Sequence, residues 1–447
     1  MTMSEAKRER WKIGAELAAV LSARHDPAAR IRNLDLLAAL IALLLPWSTS
    51  GVAIAAVPWL IALVPTLDGR AFVQSLQRPI CALPIALCAL AALGMLWSDA
   101  PWGARLYAVG PAVKLLMLPL LLYHFERTSR GHWVFNAFLV SCAVMLLASW
   151  ITAFVPAFTF KPVDDRVCGV FVKNYIDQGQ EFALCVLALA FPVMTLWQEG
   201  KRRQAAWLMA LAAAFVANMV FVIASRTALA TMPLLLAVFA FRYLPWRGIA
   251  VLGTVTVIAG VAWMAAPRMC RTIDTMARDF ELYQERNIPT SAGLRMEYWK
   301  KSLHFIADAP LVGHGTGSIR GLFEKAATGS AAGASAQVVA NPHNQTLSVA
   351  IQWGVIGVII LYAMWLSHLL LFRGEGFVAW VGLLVVAQNV LSSLFNSHLF
   401  DFHEGWMYVL GVGVAGGTLL GSAGMARPDG VSAASQRESR DTIRSTP

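Results

Sequence analysis

The chain has 447 residues, 57% of them AVILMFWYC and only 14% charged, with a mean hydropathy of +0.59. An average soluble domain carries about 25% charged residues, so there is too little charge here to cover a water-exposed globule of this size. A soluble enzyme, a disordered chain and a disulfide scaffold are excluded, and the net charge of +10 becomes a question of which loops hold the basic residues.

The first 33 residues are polar and basic (Lys7, Arg8, Arg10, Lys12, Arg24, Arg30, Arg32) and lack an apolar core before Leu36, so no cleavable signal is expected. Apolar runs long enough to cross a bilayer then follow near 36–48, 51–67, 79–97, 106–123, 133–154, 179–197, 205–224, 227–243, 248–266, 350–371, 377–395 and 406–423. The expected fold class is an all-α polytopic membrane protein of about twelve transmembrane helices. One set of loops holds Arg70, Arg78, Arg127, Arg130, Lys201, Arg202, Arg203, Arg242, Arg247 and Arg373; the alternate short loops hold only Arg105, Lys161, Arg166, Lys173 and Arg226. The basic N-terminus and the tail with Arg427, Arg437, Arg440 and Arg444 join the richer set, which places both termini in the cytoplasm.

The expected organisation is a basic cytoplasmic segment (1–35), spans one to nine (36–266), an external loop (267–349), spans ten to twelve (350–423) and a cytoplasmic disordered tail (424–447). A loop as long as 267–349 is usually functional. It reads as amphipathic helices near 268–285 and 293–306, a glycine turn at Gly313-His314-Gly315-Thr316-Gly317, and a helix starting at Asn341. Of the six cysteines only Cys168 and Cys270 fall in polar connections, and no spacing demands a bridge between them.

Several residues could carry chemistry. In Asn341-Pro342-His343-Asn344-Gln345, Asn is a good N-cap and Pro suits the first helical position, which would put His343 in the first turn. A neutral imidazole beside a helix terminus that attracts anions is what a general base needs; a plain interfacial histidine is the alternative. Arg226, between two apolar runs, is either a snorkelling cation or a phosphate ligand facing a cavity. Arg295 opens the second external helix, where Glu297 is an i,i+2 neighbour. Arg166, Lys173 and Asn174 precede the sixth span as donors to lipid phosphate or sugar, or as interfacial anchors. His398, Asp401, His403 and Glu404 could make a divalent metal site or a hydrogen-bonded polar cap, with Asp401 a candidate for orienting a base or acceptor. Walker A, GxGxxG and CxxC patterns are absent, so chemistry without metal or ATP is expected.

The order of these motifs resembles the O-antigen ligase family: Ser225-Arg226, Arg295 followed by Tyr298-Trp299, Pro310-Leu-Val-Gly-His-Gly-Thr-Gly-Ser318, then His343-Asn344 leading into a span with Gly354 and Gly357. O-antigen polymerases and protein O-oligosaccharyltransferases share its large-periplasmic-loop superfamily. The resemblance implies a GT-C-like glycosyltransferase of the bacterial inner membrane with a periplasmic site. It would move a preassembled polysaccharide from undecaprenyl pyrophosphate to a sugar hydroxyl of lipid A–core, inverting and without cofactor. His343 would be the base, and Arg226 and Arg295 would hold the pyrophosphate. Arg166, Lys173, Asn174, His314, Asn344, Gln345 and Asp401 are expected to bind substrate. The expected partners are the lipid-linked glycan, the lipid A–core acceptor and membrane lipids, with no nucleic acid. A polymerase of the same superfamily, or a transporter with Lys114 as its intramembrane charge, are the alternative readings.

Overall fold

The computed structural model describes residues 26–160, 168–223, 226–250, 253–254, 257, 278, 281–327 and 333–425. All regular structure among them is helical. In chain order the helices are α1 (Pro27–Leu44), α2 (Thr49–Leu63), α3 (Gly69–Leu76), α4 (Pro79–Leu93), α5 (Trp102–Val113), α6 (Met117–Phe125), α7 (Gly131–Phe154), α8 (Tyr175–Gln198), α9 (Arg202–Phe221), α10 (Arg226–Tyr243), α11 (Ser291–Asp308), α12 (Ile319–Ala327), α13 (Gln345–Leu371), α14 (Phe377–Ser392) and α15 (Phe402–Met425). Starts follow local chemistry: the Asp26, Ser48, Asp68, Asn174, Thr290 and Asn344 side chains each accept a backbone N–H of the helix they open.

The chain is a multi-pass membrane protein, and the described residues bear out only part of the expected twelve spans. Among the described residues seven helices are long and apolar enough to cross a bilayer, or eight if α3 and α4, bent by 79°, form one span. The run at 36–48 is the end of α1, which carries three charges, Arg30, Arg32 and Asp35. The runs at 227–243 and 377–395 contain the shorter apolar helices Thr231–Tyr243 and Phe377–Ser392. Most of 248–266 lies outside the described residues, as do most of the helix expected at 268–285, Cys270, and the two terminal segments. Cys168 carries a free thiol.

Hydrogen bonds separate the two ends of the bundle. At one end the basic loops are pinned: Arg78 pairs with Glu126 at 2.9 Å, and Arg242 donates to the Phe372 carbonyl at 3.1 Å. At the other end, residues 281–327 and 333–344 sit on the bundle through a small core of Tyr298, Phe305, Ile319, Phe323 and Ile351.

The glycine turn fastens this segment to α13. At Gly354 the helix leaves helical geometry (φ 60°, ψ −156°), which strands backbone groups on both sides of the break. The 310–317 turn satisfies them. His314 N donates to Ile351 O and Gly315 N to Gln352 O, both at 2.8 Å, and Val355 N donates to Pro310 O at 2.8 Å. Thr316 completes the joint by donating to Ala91 O at 2.6 Å and accepting from Trp353 Nε1 at 2.9 Å. A Cβ on Gly354 would lie 2.3 Å from the Leu311 carbonyl carbon and oxygen, so glycine is required by contact as well as by φ.

Candidate functional site

The helix expected to start at Asn341 starts instead at Gln345, and its cap is Asn344, whose side chain accepts from Leu347 N at 3.1 Å. His343 therefore stands just outside the helix and not in its first turn. Its φ of +55° is a left-handed conformation that a non-glycine residue holds only when its surroundings impose it. Here the imposing group is Asn341. Its Oδ1 accepts the His343 backbone N–H at 2.9 Å and the Ser397 hydroxyl at 2.8 Å.

The imidazole is held from several sides. Nδ1 lies 3.0 Å from Asn396 Oδ1, which also accepts from Asn341 Nδ2 at 2.9 Å. Asn396 Nδ2 donates to Asp401 Oδ2 at 2.6 Å. The ring stacks on Tyr298, with centroids 6.1 Å apart and planes 26° apart. Burial pushes the His343 imidazole below its ordinary proton affinity; the Asn396 hydrogen bond opposes this and the nearby Arg295 guanidinium reinforces it. The Asp401 carboxyl is pushed up to about 6, chiefly by burial. Lys114 donates to the carbonyls of Phe400 and Asp401, so this intramembrane charge anchors the loop behind the site.

The structure thus brings His343, Asp401 and Arg295 into one neighbourhood. Arg295, in the first turn and a half of α11, is exposed. Glu297 is engaged by the Tyr283 hydroxyl at 2.9 Å and by Lys301 at 3.8 Å, not by its i,i+2 arginine. Arg226 is the first residue of α10, and its side chain and all of Arg166 lie outside the described residues. The other expected substrate ligands are used within the fold. Lys173 pairs with Glu181 at 3.3 Å and donates to Leu45 O. Asn174 caps α8. His314 Nε2 meets Phe305 O at 2.7 Å. Asn344 caps α13, and Gln345 Oε1 accepts from Leu399 N at 3.1 Å. The four residues of the possible metal set disperse: His403 pairs with Asp177 at 2.6 Å, Asp401 turns to Asn396, and His398 lies 4.0 Å from Glu404.

Next to this site lies a polar zone among α8, α13, α14 and α15. Among the described residues, eleven of the fourteen buried side-chain nitrogens and oxygens without a hydrogen-bond partner fall there, on Gln180, Gln345, Gln388, Asn389, Ser393, His398, His403 and Glu404. A separate cavity of about 330 Å³, lined by Leu45, Phe138, Leu184, Val385 and Met407 among others, is apolar and touches none of the candidate residues.

The O-antigen ligase family profile matches residues 211–362. The chain carries the domain of the O-antigen ligase family. The match runs from the second half of α9 to the first two-thirds of α13, and so includes Arg226, Arg295, His314, His343, Asn344 and Gln345. Comparison with curated proteins finds no match. In this O-antigen ligase domain the turn at 310–318 is a structural joint, while the polar contacts to His343 come partly from beyond the match. Asn396 is the residue that sequence reading missed. The signal was present in Phe395-Asn-Ser-His-Leu-Phe-Asp401, where a polar cluster between two apolar helices begins two residues earlier than the histidines suggest.

Proposed function

We propose that the protein is a glycosyltransferase of the O-antigen ligase type, acting at the periplasmic face of the bacterial inner membrane. It moves a preassembled glycan from undecaprenyl pyrophosphate to a sugar hydroxyl of lipid A–core. The observation that carries this reading is the held, neutral-leaning His343 beside Arg295 within the matched domain. His343 takes the proton of the acceptor hydroxyl as that oxygen attacks the anomeric carbon. The bond from the anomeric carbon to the pyrophosphate oxygen breaks, with inversion, and undecaprenyl pyrophosphate leaves as the anion. Arg295 and Arg226 hold the charge that grows on it, the contribution usually largest in such reactions. The leaving pyrophosphate supplies the driving force, so the reading needs neither nucleotide nor metal. The basic loops supply the orientation, since they face the cytoplasm by the positive-inside rule and put the 281–344 segment outside.

The test is complementation of a strain lacking the protein with His343→Ala, Arg226→Ala, Arg295→Ala and the tail control Arg440→Ala. Loss of O-chain-bearing lipid A with accumulation of long carrier-linked chains supports a ligase. Single-repeat products would instead make it a polymerase. A normal ladder from well-expressed variants would refute the transferase site and favour transport.

A further inference from the structure

We infer that Asn396 is the positioning residue of His343, and that it selects the imidazole tautomer in which Nδ1 carries the proton and Nε2 is the basic nitrogen. The inference rests on the reading of His343 as the base and adds to it a residue outside the matched domain.

The argument starts from a group whose polarity cannot be exchanged. The backbone N–H of His343 can only donate, and it donates to Asn341 Oδ1 at 2.9 Å, as does the Ser397 hydroxyl at 2.8 Å. That fixes which end of the Asn341 amide is oxygen. Its nitrogen therefore faces Asn396 and donates to Asn396 Oδ1 at 2.9 Å. The other end of the Asn396 amide must then be nitrogen, and it meets the Asp401 carboxylate oxygen at 2.6 Å, a contact that suits a donor. Reversing Asn396 would set its oxygen against a carboxylate and its nitrogen against another NH₂ group. The atom 3.0 Å from His343 Nδ1 is consequently an amide oxygen with no proton to give. Nδ1 has to be the donor, and in a neutral imidazole that leaves the lone pair on Nε2. Lys114, bound to the Phe400 and Asp401 carbonyls, holds the loop on which Asn396 and Asp401 stand. The charged or titratable groups around the ring are Arg295 and the stacked Tyr298 on α11 and His398 and Asp401 on the 393–401 loop.

The experiment uses the full chain purified in detergent as wild type, Asn396→Asp and Asn396→Leu. Carbethoxylation of His343 by diethyl pyrocarbonate is followed by mass spectrometry as a function of pH, and glycan transfer from a lipid-linked donor is measured over the same range. A carboxylate at 396 stabilises the imidazolium, so in Asn396→Asp the His343 inflection is expected to rise by about one pH unit. The acid limb of kcat should rise with it. In Asn396→Leu the ring loses its tautomer selection, and kcat is expected to fall about tenfold or more while KM stays within about twofold. Should Asn396→Leu fail to fold, the inflection in Asn396→Asp decides alone. An inflection unchanged in the folded variants overturns the inference, even if transfer drops. An inflection that moves while transfer keeps its wild-type pH profile upholds the positioning role and refutes His343 as the base.

Discussion

Two buried carboxylates, one toward each end of the bundle, are treated in opposite ways. Asp35 has no exposed surface and is met by His124 Nε2 at 2.8 Å, Thr128 Oγ1 at 3.1 Å and Arg130 at 3.3 Å. Glu404 is 4% exposed, neither of its oxygens has a hydrogen-bond partner, and both nitrogens of His398 beside it are also unpartnered. A buried polar group without a partner costs about 1–3 kcal/mol. The first end spends its polar residues on holding helices together. The second leaves several unsatisfied, among them those of His398 on the same loop as Asn396 and Asp401; under the proposed reaction, uncommitted polar groups are what a reacting sugar and its leaving group would require.

The sharpest way to break this comparison is to remove one residue from each end. His343→Ala is expected to lower glycan transfer by about 10²–10⁴-fold, the usual worth of a general base, with thermal stability in detergent unchanged. Asp35→Ala is expected to do the reverse. It leaves His124 and Arg130 without their acid, and breaking a buried pair from one side costs about 3–5 kcal/mol. The check is the thermal midpoint, with transfer per folded molecule retained. If Asp35→Ala lost transfer while keeping its midpoint, the division between a structural and a reactive end would be wrong.

A smaller effect is expected at the joint between the two regions. Gly354→Ala places a methyl against the Leu311 carbonyl at a left-handed φ, a strain of about 1–3 kcal/mol. Because α13 also begins beside His343, this variant should lower both midpoint and transfer. Limited proteolysis should cut first in the 310–317 turn as it lifts from the helix.

Much of this architecture was legible in the sequence, and the places where it was not have physical causes. The apolar runs marked the helices because each must bury or solvate itself in lipid as a unit. Their ends were less legible, since the helical start that brings Arg30, Arg32 and Asp35 into α1 and the short reach of α14 depend on local caps. At the site, Asn341-Pro342 and Asn344 are both good cap signals three residues apart. The choice between them is made by Ser397 and Asn396, more than fifty residues away, which bind the Asn341 amide and withdraw it from capping. Lys173 and Asn174 looked like ligands because their types suit phosphate and sugar. A buried acid on α8, Glu181, claims the first, and the start of that helix claims the second.

The finest prediction concerns pH and separates two groups that mask each other. Burial holds His398 down to about 4 from an ordinary 6.5, and holds Asp401 up to about 6 from an ordinary 3.8. Between about pH 4 and 6 the unfolded chain protonates His398 and ionises Asp401, whereas the folded chain does neither. The histidine makes the unfolded state bind the extra proton, so its contribution to stability rises with pH and is lost as pH falls. The aspartate makes the folded state bind the extra proton, so its contribution falls as pH rises through the same window. The two slopes oppose each other, so in the wild type their contributions largely cancel between about pH 4 and 6. Measured against the wild type at each pH, Asp401→Asn removes the descending contribution, so its midpoint should gain on the wild type as pH rises. His398→Gln removes the rising contribution, so its midpoint should fall behind the wild type over the same range. Equal slopes in the two variants would mean that burial does not shift His398 and Asp401 in opposite directions.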